Sequence, residues 1–202
     1  MVSDTSVSVA DLNDSITQAN TATTNPTNTV FSVSSGATIT TGDEAAFTTL
    51  LTNEDNGNIA ITDQNLTVSS GTISVDNANL LNATTTGTVT AAIDLTEDVD
   101  ELTTLSGTGA YTIVIASGDA TGSTAAEFNT INSATTVAID ASEVTALASS
   151  NLSDVKTLLT AANDTDQFTD STGKVSFGGL TGVTIADATV DVSDFNAAVT
   201  QA

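Results

Sequence analysis

Residues 73–82 read ISVDNANLLN, and three further stretches vary the same phrase: VSVADLNDSI at 7–16, TVAIDASEVTAL at 136–147 and VDVSDFNAAV at 190–199. Each begins with alternating β-branched residues, the pattern of a strand with one buried face. Each continues with a Ser, Thr or Asp, an acidic residue and a large apolar one, the order in which a helix is capped and begun. The grammar recurs at 41–47, 95–99, 124–129 and 151–155, with Leu12, Phe47, Leu80, Val99, Phe128, Val144, Val155 and Phe195 as apolar anchors. The closest anchors are 11 residues apart (144 to 155) and the most distant neighbours 40 (155 to 195), so the period is degenerate.

A strand-plus-cap unit cannot bury its apolar face alone and must stack on another. The sequence therefore predicts an all-β or β-rich chain, built as an irregular β-solenoid or repeat module with short capping helices. A β-sandwich is the alternative, since it too shows short strands between turn signals. Strands are expected at 29–40, 58–75 (in three pieces), 87–95, 110–116, 135–141 and 174–192, punctuated by glycines such as Gly36, Gly57, Gly71 and Gly107. One elongated module covers 1–202, with a soft boundary near 117–123. Thr41/Glu44 and Thr124/Glu127 have capping-box spacing, so most acids are read as caps that also complement helix dipoles.

Composition bounds the chemistry. The chain has 202 residues, 25 Asp and Glu against 2 Lys and Arg, a formal charge of −23, and no Cys, His or Trp. Without His or Cys there is no catalytic triad and no usual zinc, haem or iron–sulfur ligation. With Lys156 and Lys174 as the basic side chains, no patch can neutralise phosphates, so nucleic acid is excluded as a partner. Hydrophobic residues are 39% of the chain and aromatics 3%, so the core is Ala, Val, Ile and Leu. Thr makes up about a fifth of the chain. A mean hydropathy of +0.14 and a single Pro argue against disorder. No run approaches the ~20 apolar residues of a membrane span, so no membrane insertion is expected. The first five residues lack a signal-peptide pattern and read as the middle of a repeat behind an initiator Met.

Oxygen ligands are what this surface offers, so Ca²⁺ is the cofactor to consider. Asp164, Asp166 and Asp170, beside Asn163, are the calcium candidates, because their spacing lets them converge in one turn. Asp98, Asp100 and Glu101 form a second cluster. Residues 53–58 (NEDNGN) imitate an EF-hand opening with the Gly one place early. Catalysis is not expected: paired carboxylates could hydrolyse glycosides, but sugar-stacking aromatics are scarce. Thr38-Ile39-Thr40 and the run TTTGTVT at 84–90 have the local pattern of an ice-binding array. Such an array needs a fixed coil length, which these spacings do not provide.

The phrases VSVADLN (7–13), ATTTGTVTA (83–91), LTTLSGTGAYTIVIA (102–116), TAAEFNTI (124–131) and VTIADATVDVSDFNAA (183–198) resemble the Thr/Ala/Asp-rich repeats of very large bacterial surface and secreted proteins, notably of marine cyanobacteria and other aquatic bacteria. The likeness covers most of the chain and is one of recurring phrase. It implies an extracellular, elongated, β-rich protein with a structural or adhesive role. The calcium-binding G-G-x-G-x-D nonapeptide of secreted repeats is absent; GGLTGV at 178–183 comes nearest and lacks its Asp.

These readings converge on an extracellular or cell-surface structural protein. It would be a self-assembling subunit or repeat segment of a filament, surface layer or giant adhesin. Its partners would be copies of itself or neighbouring repeats. The alternative is an adhesin or phage-fibre module that recognises a surface glycan or protein. Sheet edges are usually defended by Lys or Pro, and this chain has almost neither.

Overall fold

The computed structural model describes residues 4–21, 30–116, 122–162, 168–169 and 180–201. The chain divides into two compact units, Met1–Ala92 and Ile93–Ala202. Of the boundary expected near 117–123, residues 117–121 lie outside the described residues.

The first unit contains β1 (Ser6–Ser8), α1 (Val9–Thr21), β2 (Phe31–Ser32), β3 (Thr38–Thr40), α2 (Glu44–Asp55), β4 (Ile59–Ala60), β5 (Asn65–Thr67), α3 (Val75–Thr84) and β6 (Val89–Ala92). Its main sheet runs β1-β3-β5-β6, with each strand parallel to the next, and β2 pairs with β4 in parallel. The second unit contains α4 (Val99–Leu102), β7 (Ala110–Thr112), α5 (Ala125–Ser133), β8 (Ile139–Asp140), β9 (Ala146–Ser150), α6 (Leu152–Ala162), β10 (Phe168–Thr169), β11 (Gly182–Ile185) and α7 (Val192–Gln201). There β8 pairs with β10 and β9 with β11, again in parallel.

This is a mixed α/β fold, and it corrects the expectation of an all-β or β-rich solenoid and the alternative of a β-sandwich. The expected short caps are full helices, up to 13 residues long in α1. Parallel strands demand long crossovers, which helices supply, whereas a sandwich needs antiparallel neighbours. The misleading signal was threonine. Its branched side chain reads as strand, yet here Thr hydroxyls fold back onto the carbonyl four residues earlier. Thr48 donates to Glu44 O (2.9 Å), Thr84 to Leu80 O (2.9 Å) and Thr157 to Ser153 O (3.0 Å). The hydroxyl is thereby satisfied on an exposed helix face, and the apolar stripe decides the conformation.

That stripe has helical spacing: Val9, Leu12 and Ile16 in α1, and Ala125, Phe128 and Ile131 in α5, are all buried. In α3 the stripe is Val75, Ala78 and Leu81. Leu80, read as an anchor, therefore points outward and is 54% exposed. Val144 is buried as expected, but it follows a turn and leads into β9 rather than into a helix.

Strand register is kept despite irregular spacing. Val7, Ile39, Leu66 and Val89 are successive partners, although 32 residues (7 to 39), 27 (39 to 66) and 23 (66 to 89) separate them. Ile39, Leu66 and Val89 face the core. The polar residues beside them align too: Ser6 with Thr38 and Asn65, Ser8 with Thr40, Thr67 with Thr90. A fixed coil length is thus not required to bring these short polar residues into line.

Candidate docking face

Several of the carboxylates that composition brings forward hold helices. Asp98 and Glu101 form a capping box on α4: Glu101 N donates to Asp98 Oδ1 (2.9 Å) and Asp98 N to Glu101 Oε2 (3.0 Å). Thr124 and Glu127 form a second on α5. The expected Thr41/Glu44 box is not formed. Asp43 caps α2 by accepting from Ala46 N (2.9 Å), and Thr41 sits at φ 64° in the turn before it. Glu44 instead reaches the next crossover, where its Oε1 accepts from Ser74 N, Ser74 Oγ and Asn77 Nδ2 (2.7–2.9 Å).

Residues 53–58 close α2, with Asn56 as C-cap and Gly57 at φ 70°. Asn53 there donates to Asn13 Oδ1 (3.1 Å) and accepts from Asn58 Nδ2 (3.4 Å), so its amide is used in packing. The calcium candidates Asp164, Asp166 and Asp170, with Asn163, lie outside the described residues. Among the described residues, no three His, Cys, Asp or Glu side chains are grouped closely enough to hold a metal.

Two asparagines that the sequence reading passed over join one helix to the next. Asn13 of α1 donates to Ala46 O of α2 (2.9 Å), and Asn129 of α5 donates to Asp154 O of α6 (3.0 Å). Both follow the anchor, as Leu12-Asn13 and Phe128-Asn129, and Phe195-Asn196 repeats the pair. That recurrence was the available signal.

The last helix differs from the earlier ones. Val192, Phe195 and Val199 of α7 hold the places that Val9, Leu12 and Ile16 hold in α1. The α1 residues are 0%, 2% and 1% exposed, while the α7 residues are 73%, 47% and 59% exposed. Between α7, β11 and α6 lies an apolar cleft of about 190 Å³, lined among others by Leu152, Leu159, Val183, Ile185, Phe195 and Val199.

Polar groups of the same elements line a neighbouring cleft of about 240 Å³ that shares Leu152 with the first. Lys156 on α6 pairs with Asp194 on α7 (2.8 Å), the one ion pair among the described residues. Asp187 accepts from Leu152 N (2.6 Å) and so caps α6 from the loop after β11. Asp191 caps α7 through Ser193 N (2.7 Å), and the Ser193 hydroxyl, which also donates to it, holds its carboxyl below the usual carboxylate range. The first cleft offers an apolar surface and the second an acidic one. Comparison with known proteins assigns no relationship: no family model, curated protein or solved structure matches the chain.

Proposed function

We propose that the chain is an extracellular structural segment that works by stacking: a subunit or repeat segment of a filament, surface layer or giant adhesin. One observation carries this reading. In the first unit the strands β1, β3, β5 and β6 lie side by side in chain order with helices in their crossovers, and in the second the stripe that is buried in α5 and α6 is exposed on α7. An exposed apolar stripe on a strand–helix unit is a surface on which another such unit can stack. The resemblance to Thr/Ala/Asp-rich bacterial surface repeats supports the same role. So does the scarcity of Lys and Pro along the strands that form sheet edges.

Negative-stain electron microscopy of the purified chain at high ionic strength, with and without Ca²⁺, tests the proposal. Regular filaments or sheets are expected. Dispersed particles under both conditions would overturn self-assembly and leave a passive spacer or a ligand-binding module. Filaments that require Ca²⁺ would direct attention to Asp164, Asp166 and Asp170.

A further inference from the structure

We infer that Asn56-Gly57 is a site of spontaneous deamidation, and that the closure of α2 is a latch that holds the reaction off until the helix end opens.

Asn56-Gly57 is the one Asn-Gly step in the chain, inside the NEDNGN stretch at 53–58. Such a step is prone to this chemistry because glycine has no Cβ to hinder its nitrogen from attacking the asparagine side chain. The Gly57 nitrogen loses its proton and bonds to Asn56 Cγ, the Cγ–Nδ2 bond breaks, and Nδ2 leaves with that proton as ammonia. Water then opens the five-membered imide. Breaking its C–N bond at Cγ gives aspartate. Breaking its C–N bond at the Asn56 main-chain carbonyl gives isoaspartate, in which the chain runs through Cγ and is one methylene longer.

The folded backbone opposes the first step. Gly57 N donates to Glu54 O (2.8 Å), Asn56 N to Thr52 O (3.1 Å) and Asn58 N to Asn53 O (2.9 Å), with Gly57 in the left-handed region at φ 70°. These bonds make a Schellman-type closure of the helix. The attacking nitrogen is thereby committed to a carbonyl, and Asn56 at ψ 0° leaves it rotated away from Cγ. Asn58 anchors the closure from the far side. It is buried, and its O accepts from Phe31 N (2.8 Å) where β2 pairs with β4.

Charge weakens the latch. α2 ends on Glu54 and Asp55 with no base in its last turn, so two carboxylates lie at the negative end of the helix dipole. Asn56 and Gly57 are both exposed, so water reaches them once the end opens. Conversion puts a third carboxylate at that end, and the added methylene of isoaspartate spoils the ring sizes on which the closure depends. Release of Asn58, and with it of the Phe31 bond, is therefore one-way.

The experiment holds the purified chain at mildly alkaline pH, once in buffer and once in urea, and samples it over time. A glutamate-specific protease cuts after Glu54, and electron-transfer fragmentation of the peptide tells asparagine, aspartate and isoaspartate apart. In urea Asn56 is expected to convert before any other asparagine. In buffer it should convert at least about tenfold more slowly. Asp55→Lys puts a cation at the helix C-terminus and should lower the ratio of buffer rate to urea rate about two- to fivefold, with circular dichroism checking the fold. Asn56→Ser cannot close the ring and should keep its mass at this position. Amide exchange of Asn58 and Phe31 should be slow in the fresh chain and fast in the isoaspartate form.

Equal rates in buffer and urea would overturn the latch. First conversion at another asparagine in urea would overturn the site. An unchanged ratio in Asp55→Lys would overturn the part assigned to charge, and an isoaspartate chain with Asn58 and Phe31 still protected would overturn the one-way release.

Discussion

Tyr111 offers the sharpest test of how the core is described. It is the chain's one tyrosine, lies in β7, is fully buried, and its Oη has no hydrogen-bond partner among the described residues. Its backbone is held by Thr135: Tyr111 N donates to Thr135 Oγ1 (3.1 Å), which donates to Tyr111 O (2.7 Å). Its ring lies against Gly109, where a Cβ would come within 2.5 Å of ring carbons. Ring and backbone are thus fixed while the hydroxyl contributes only a desolvation cost, about 1–3 kcal/mol for a buried polar group left unbonded. Tyr111→Phe keeps the ring and removes that cost. The hydroxyl-sized void, on the order of 10–15 Å³, costs about 0.3 kcal/mol in return. The expected outcome is a gain of about 1–2 kcal/mol in urea unfolding followed by circular dichroism. The pH dependence gives a second arm. Burial raises the folded-state pKa above the ordinary value of 10.0, so the unfolded chain releases this proton first as pH rises. Stability from this source is complete below the unfolded pKa and is lost as pH climbs through the folded one. The variant should lack that alkaline decline. A loss of about 1 kcal/mol or more on Tyr111→Phe would refute the reasoning, because it would mean that the hydroxyl is bonded.

Four further outcomes are expected. Thr41, a β-branched residue at φ 64°, is strained; Thr41→Gly should gain about 1 kcal/mol in the same assay, and a loss would show that the turn depends on its side chain. Asn13→Ala and Asn129→Ala should each cost about 1 kcal/mol by removing a helix-to-helix bond, whereas Ala on the exposed Asn20 should cost little. Gly87→Ala would drive a Cβ to 2.4 Å from Gln64 O and should cost more than about 2 kcal/mol, while Gly71→Ala, in open space at φ 75°, should cost only about 1. The Ser35 hydroxyl holds the Asp63 carboxyl below its usual range. The stability it contributes is present above the unfolded pKa and lost as pH falls through the folded one, so Ser35→Ala should move Asp63 upward in a carboxyl NMR titration.

Many strand positions were legible because Val and Ile alternate there between glycine turns, whereas β9 (Ala146–Ser150) and β10 (Phe168–Thr169), which lack that alternation, fell in none of the expected ranges; Leu12, Phe47 and Phe128 were recognisable as core from their place after a cap. Helix length was not legible, since threonines that bond their own backbone cannot be told in sequence from threonines in a strand. The cap at α2 was missed because Asp43 and Thr41 both precede Glu44, and only the backbone at φ 64° decides between them. The joining role of Asn13 was hidden because its partner is a main-chain carbonyl 33 residues away, which carries no sequence signal. The open stripe of α7 was the least legible feature. Val192, Phe195 and Val199 are spelled like their buried counterparts, and their exposure depends on what lies next to them in space.

The register of the first sheet has a bearing on how such a chain can change. Spacings of 32, 27 and 23 residues lead to the same alignment of Val7, Ile39, Leu66 and Val89. Loop-closure cost grows only as the logarithm of length, about 0.6 kcal/mol per doubling, so residues can be gained or lost between strands at little expense. The strand faces act as a vernier whose divisions do not move when the tape between them is cut or spliced. Insertions would accumulate in the crossovers unseen from the polar face, and that face can be conserved while chain length drifts.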